Sequence, residues 1–212
     1  MLGIDLRSAK RVLLLGAHCD DIEIGVGATV LRLLRERPDI EVNWVVFSGN
    51  ELRQQEAAVA AEAFLKGYEK RTVSLHRFRD AHFPMHMDVI KAEFEKLKGF
   101  QPDLIFTHTS RDSHQDHRAI NELTWNTFRN HTILEYEITK YEGDLGRPIV
   151  YAPANADDVA GKIKRLMECF PSQTTRQWYD EETFRGLMRI RGIECNSPTK
   201  YAEAFYCRKI LL

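Results

Sequence analysis

No stretch of the sequence approaches eighteen consecutive apolar residues, and cysteine is too sparse and scattered to organise a fold. The first absence argues against a membrane-spanning helix. The four cysteines, Cys19, Cys169, Cys195 and Cys207, form no C-x-x-C pair, so neither a cysteine-rich zinc site nor a disulfide framework is expected, only packed, reduced thiols. Neither sign of charge is in excess: 30 Lys and Arg stand against 31 Asp and Glu, a net charge of −1. This balance speaks against partnership with nucleic acid or an anionic membrane, which calls for a broad positive field, and favours a small, weakly charged substrate. The opening residues, MLGIDLRSAKRV, carry charges on both sides of a few apolar ones and lack the apolar segment of a signal peptide, so a cytoplasmic protein is expected. Repeats, low-complexity tracts and linker-like segments are missing too. At 43% hydrophobic, residues 1–212 are expected to form one domain with a sizeable core.

What is present is an alternation of short apolar runs with longer helical patterns, the signature of βαβ units around a mostly parallel sheet. Strands are expected at 12–16, 40–47, 72–75, 104–107, 133–138 and 149–151. Helices are expected at 24–37, ending before Pro38, and then at 51–64, 87–98, up to about 128, 157–170 and 180–190. The glycines and proline of TKYEGDLGRP mark a loop. The chain closes on an apolar segment, AEAFYCRKILL.

Two clusters interrupt this pattern, each at the end of an expected strand. The first strand leads into AHCDDIEIG, with His18, Asp20, Asp21 and Glu23, and the 104–107 strand leads into SRDSHQDHRAI, with His114, Asp116 and His117. Ligands of open α/β sheets gather outside the carboxyl ends of strands, which places both clusters where one site is expected. Ordinary helix starts offer an alternative: an acidic first turn complementing the helix dipole, and an N-cap at Asp112 or Ser113. A phosphate-binding turn built on Gly16, Gly25 and Gly27 lacks the G-x-G-x-x-G spacing, and its two carboxylates would repel a pyrophosphate.

A metal site uses the residues more fully. His18 and Asp21 are three apart and can grip one ion, with His117 as third ligand from the other cluster. Two imidazoles and a carboxylate suit one Zn²⁺ and leave a position for water; Fe²⁺ could occupy the same ligands. Asp20 would accept the proton of that water, and His114 would stabilise an oxyanion or protonate a leaving amine. Asp116 would hold the His114 ring in its working tautomer.

The same stretches carry a family resemblance. AHCDDIEIGVGATV resembles the A-H-P-D-D-x-x-x-G-x-G-G motif, and DSHQDHRA the H-x-D-H motif, of the PIG-L / LmbE-like zinc-dependent N-acetylglucosaminyl deacetylases. The motifs occur in the family's order, about 95 residues apart. SGNELRQQEAAVAA, FRDAHFP, FPSQ and YAEAFY resemble further segments of such proteins. The resemblance implies a Rossmann-like three-layer α/β sandwich that removes the N-acetyl group of a GlcNAc-containing small molecule. It implies His18, Asp21 and His117 as zinc ligands, Asp20 as base, and His114 with Asp116 as the transition-state pair. Arg53 and Asp80 would hydrogen-bond sugar hydroxyls, with Glu203 a lesser candidate at the pocket rim. A homo-oligomer is compatible with the resemblance.

Three departures are visible. Cys19 replaces the motif's proline, Gly27-Ala28 replaces its closing glycine pair, and Asp112 stands where some members carry an assisting tyrosine. The alternatives are a zinc amidase cleaving a larger amide, such as a cysteinyl amino-sugar conjugate, and a metal-dependent sugar-binding protein without turnover.

Overall fold

A computed structural model of the chain describes residues 8–210. The extreme N-terminal residues and Leu211 and Leu212, part of the opening and closing segments discussed above, lie outside it. Seven strands form one sheet: β1 (Arg11–Gly16), β2 (Glu41–Ser48), β3 (Arg71–Phe78), β4 (Leu104–His108), β5 (Thr132–Tyr136), β6 (Val150–Pro153) and β7 (Ala202–Tyr206). Their order is β3-β2-β1-β4-β5-β7-β6. All pairings are parallel except those of β7, which runs antiparallel between β5 and β6.

Six helices cover the sheet: α1 (Asp21–Glu36), α2 (Glu51–Phe64), α3 (Met87–Leu97), α4 (Gln115–Thr127), α5 (Ala156–Cys169) and α6 (Glu181–Glu194). Side chains alternate across a strand, so β1 sends Val12 and Leu14 into one core and Leu13 and Leu15 into the other. The first core is closed by apolar residues of α1, α2, α5 and α6. The second lies under α3 and α4, with Phe47, Ile90, Phe94 and Ile120 fully enclosed. The result is the expected three-layer α/β sandwich with a mostly parallel central sheet.

Among the boundaries that differ from the sequence reading, α6 runs on to Glu194 and β5 stops at Tyr136, and three others have a clear local reason. β3 runs eight residues rather than four, because as an edge strand it buries little and its polar residues hide the pattern. The closing apolar segment contains β7, whose residues are buried on both faces and so show no alternation. α1 starts three residues early, at Asp21, which puts the acidic cluster on the helix itself rather than before it. No helix among the described residues is long and apolar enough to cross a membrane.

Chain direction sets the position of the site. The helix after β1 packs on one face of the sheet and the helix after β4 on the other, while β1 and β4 are neighbours. Their carboxyl ends therefore diverge around a crevice, the switch point where open α/β sheets bind ligands.

Candidate active site

Beyond β1 the chain turns through Ala17, His18 and Cys19 into α1. Asp20 is the N-cap residue and Asp21 the first helical residue. The turn is fastened from within, since the His18 backbone N–H donates to Asp21 Oδ2 at 2.6 Å. Cys19 points away, its thiol donating to the Ser48 carbonyl at 3.0 Å, and burial pushes its pKa up to about 12. It is a packed neighbour in the place of the motif's proline.

Beyond β4 the chain passes Asp112 and enters α4 at His114, whose Nδ1 accepts the Asp116 backbone N–H at 3.2 Å. That contact leaves the neutral His114 ring with its proton on Nε2. His117 lies one turn along.

The two clusters meet. His18 Nδ1 is 3.0 Å from His117 Nε2 and 3.4 Å from Asp21 Oδ2, and His117 Nε2 is 3.5 Å from Asp21 Oδ1. Donors about 2.0–2.2 Å from one tetrahedral ion lie about 3.3–3.6 Å apart, so these atoms stand near ligand spacing, although Asp21 offers a different oxygen to each histidine. His117 Nδ1 is bound to Asp112 Oδ2 at 2.8 Å, which turns Nε2 toward the cluster. Among the described residues, the sets in which one donor atom per residue lies within 4.8 Å of the others are His18, His114 and His117, then Asp21, His108 and His117, and then His18, Asp80 and Asp116, so the expected ligands His18, Asp21 and His117 are spread over these sets rather than forming one of them.

The buried charges of the cluster shift one another's titration. Burial disfavours charge on His18, yet Asp21 and the contacts with Asp116 and Asp80 outweigh it and hold its pKa well above the ordinary value. Burial likewise opposes the Asp21 carboxylate, but His117, His108 and His18 hold its pKa well below the usual range. Burial and the neighbouring His108 bring the His117 pKa down to about 3, which favours its neutral form. Asp20 is raised by burial and by Asp21, against the pull of Arg53. Glu23, the remaining member of the first cluster, turns into the core; it is fully buried, and burial holds its pKa well above the carboxylate range.

Other expected roles require correction. Asp116 does not orient the His114 ring: its carboxylate accepts the backbone N–H groups of Ala81 and Phe83 at 2.7 and 3.0 Å and faces His18 Nε2 at 3.4 Å. It thus fixes the 81–83 loop against the site, and His114 is oriented by the Asp116 backbone instead. Glu203 is not a rim residue, being 4% exposed on β7 and bound to Lys162 and to α1. Arg53 lies 2.9 Å from Asp20 and 2.8 Å from Glu56, over the Phe170 ring, so its guanidinium is committed to protein carboxylates. Asp80 does sit at the mouth, 71% exposed, with Oδ1 3.1 Å from His18 Nε2.

Three site residues escaped the sequence reading. His108, the last residue of β4, is fully buried, stands 3.1 Å from Asp21 Oδ2 and stacks on His117 at 3.9 Å between ring centroids. A histidine ending a buried strand at the switch point was the available signal. Asp112 was weighed as a cap and as a substitute for tyrosine, although a carboxylate five residues before His117 can reach its ring. Lys140 lies 3.1 Å from Asp112 and 2.7 Å from Asp144; it comes from a loop distant in sequence and left no signal.

Residues 13–128, more than half of the chain, match the family described as PIG-L: GlcNAc-PI de-N-acetylase. Solved structures share the fold across nearly the whole chain. The N,N'-diacetylchitobiose deacetylase of Pyrococcus horikoshii is 22% identical with a TM-score of 0.73, over 95% of this chain and 84% of that one. The conserved protein TT1542 of Thermus thermophilus is 18% identical with a TM-score of 0.75, over 96% of each. The hydratase GalB of Pseudomonas putida KT2440, which acts on 4-carboxy-2-hydroxymuconate, is 17% identical with a TM-score of 0.72, over 96% of this chain and 98% of that one. At these identities the likeness is one of fold, and the fold serves more than one chemistry.

Proposed function

The chain belongs to the PIG-L family of de-N-acetylases, and from that premise we propose that it is a divalent-metal-dependent hydrolase that removes the N-acetyl group of a GlcNAc-type amino sugar, releasing acetate and a free amine. One observation carries the reading: the ends of β1 and β4 bring two imidazole nitrogens and a carboxylate to within 3.0–3.5 Å of one another. His18, Asp21 and His117 would hold the ion, Zn²⁺ or Fe²⁺, with Asp112 keeping His117 in the ligand tautomer. Such an ion, when bound, supplies Lewis-acid polarisation of the amide carbonyl and acidifies water toward neutral pH.

The remaining steps fall to the chain's own groups. Asp20, raised in proton affinity by burial and steadied by Arg53, accepts the proton of the attacking water. The His114 Nε2–H, freed by the backbone contact at Nδ1, donates to the oxygen that gains charge in the transition state. Asp80, exposed beside His18, is placed to meet a sugar hydroxyl.

A sugar-binding role without turnover leaves the free His114 donor without a use. The family match over both motif-bearing strand ends favours deacetylation over the hydration that GalB shows on the same fold. Incubating the purified chain with zinc, then iron, and a panel of GlcNAc derivatives while measuring acetate tests the reading. Metal-dependent acetate release supports it, and none from any derivative with either metal overturns it.

A further inference from the structure

The middle of α1 is gripped by a buried ion pair. Lys162 of α5 and Glu203 of β7 lie 2.7 Å apart, with both side chains 3% exposed. Glu203 accepts the backbone N–H groups of Ala28 and Thr29 at 3.0 and 2.7 Å. Lys162 Nζ donates to the Ile24 carbonyl at 2.5 Å. A regular α-helix pairs the N–H of residue 28 with the carbonyl of residue 24; here each member of that rung has a charged side-chain partner. Both charged side chains are almost wholly shielded from bulk water, and the adjoining cavity, lined by Thr139 and Arg191, measures about 20 Å³, space for a single water.

Such a pair is a weak source of stability, since desolvating two ions offsets most of their attraction and apolar replacements are often as stable. Its geometry has a clearer consequence. Ile24, whose carbonyl Lys162 holds, donates its own N–H to the Asp20 carbonyl at 3.0 Å. One hydrogen-bonded line therefore runs from β7 through Glu203, Lys162 and Ile24 to the residue read above as the base, with Asp21 next in the chain. A second strut lies beside it. Gly25 lets the Tyr136 ring press against the helix, and the Tyr136 hydroxyl donates to the Leu15 carbonyl at 2.6 Å.

We propose that Lys162 and Glu203 are positioning residues that fix the height and rotation of the first turn of α1, and so the placement of Asp20 and Asp21 in the site. The proposal rests on the reading of those two carboxylates given above. It also gives Glu203 of the YAEAFY segment a task away from the pocket rim.

The test separates positioning from stability. In the double variant Lys162→Met with Glu203→Leu, thermal unfolding should stay within a few degrees of wild type. Zinc affinity, measured by chelator competition, should fall about tenfold or more, because misplaced groups supporting a metal typically cost that much. In the same variant kcat should fall by a comparable factor with KM within about twofold, as expected of a shift in reacting geometry. A folded double variant that binds zinc as wild type does overturns the proposal. If the double variant does not fold, Glu203→Gln, which keeps an acceptor for the two amides but removes the charge, is judged by the same zinc measurement. Failure of the wild type to release acetate would count against the deacetylase reading alone, since zinc affinity still decides this one.

Discussion

Arg53 Nη2 lies 2.9 Å from Asp20 Oδ2, while Nη1 of the same guanidinium holds Glu56 Oε2 at 2.8 Å. The side chain is only 15% exposed, and Glu56 also binds the Ser172 hydroxyl and backbone N–H at 2.7 and 2.8 Å. A residue expected to touch sugar thus braces Asp20, the proposed base, against α2 and the loop after α5. The fork geometry of arginine lets one cation hold two carboxylates in fixed directions.

Arg53→Met should therefore act on turnover more than on binding. With the cation gone, Asp20 is left buried among acidic groups, and breaking a buried pair in this way costs about 3–5 kcal/mol. The expected outcome is a kcat lowered at least about tenfold, KM changed less than threefold and a clear drop in melting temperature. Arg53→Lys should recover part of the stability but little of the rate. An Arg53→Met enzyme with wild-type kcat and a raised KM would restore the sugar-contact role.

Asp20→Asn tests the base directly. The amide keeps the size of the side chain and an oxygen for Arg53 but cannot take a proton near neutral pH. Zinc content should stay stoichiometric, while acetate release falls by at least about a hundredfold, within the range attributed to positioned general bases. Zinc analysis of the purified variant beside an acetate assay checks both halves. Substantial activity would remove Asp20 from its role.

Asp112→Asn addresses the ligand shell. Hydrogen bonding to His117 outweighs the burial that would raise it, and the Asp112 carboxyl lies well below its ordinary pKa. It therefore stays ionised across the working pH range and holds His117 Nδ1–H. An amide can accept that bond only weakly and can turn its NH₂ toward the ring instead. Zinc affinity should drop about 10- to 100-fold, the usual loss when such a partner is changed. Unchanged affinity in chelator competition would mean that His117 needs no such support.

How much of this was legible in the sequence follows from what each residue depends on. His18, Asp21 and His117 could be grouped because each stands where an apolar strand stops, and the α/β alternation predicts that those stops share one edge of the sheet. The parallel core was legible because β1, β2 and β4 are predominantly apolar and almost wholly buried. β3 and β7 were harder, one lying at a polar edge and the other buried on both faces in an apolar tail. The partners of Arg53, Asp116 and Glu203 were not legible at all. A charged side chain in a helix or strand reads the same whether it meets substrate or a carboxylate arriving from another part of the chain. Lys140 reaches Asp112 from a loop whose path only the folded chain defines.

Asp80→Ala separates the rim from the interior. The Asp80 side chain is 71% exposed and meets the site at His18 Nε2, 3.1 Å away. Substitutions at such positions usually shift stability by less than about 0.5 kcal/mol. The melting temperature should hold while KM for an amino-sugar substrate rises several-fold. An unaltered KM would remove Asp80 from substrate contact.

Gly25→Ala decides between packing and phosphate binding as the reason for the glycines after the first strand. A Cβ at Gly25 would lie 2.2 Å from Tyr136 Cδ2 and 2.6 Å from its Cγ, far inside contact distance. The ring cannot retreat, because Tyr136 is fully buried and its hydroxyl is bound to the Leu15 carbonyl at 2.6 Å. Either α1 or the ring must move, and overpacking of this kind costs about 1–3 kcal/mol or more. At Gly27 the nearest atom, Phe64 Cε1, stands 2.9 Å from the added carbon, so Gly27→Ala should cost less. The expected order of melting temperature is wild type, then Gly27→Ala, then Gly25→Ala, with no nucleotide raising any of the three. A nucleotide that stabilised the wild type and not Gly25→Ala would show that the glycine serves a phosphate after all.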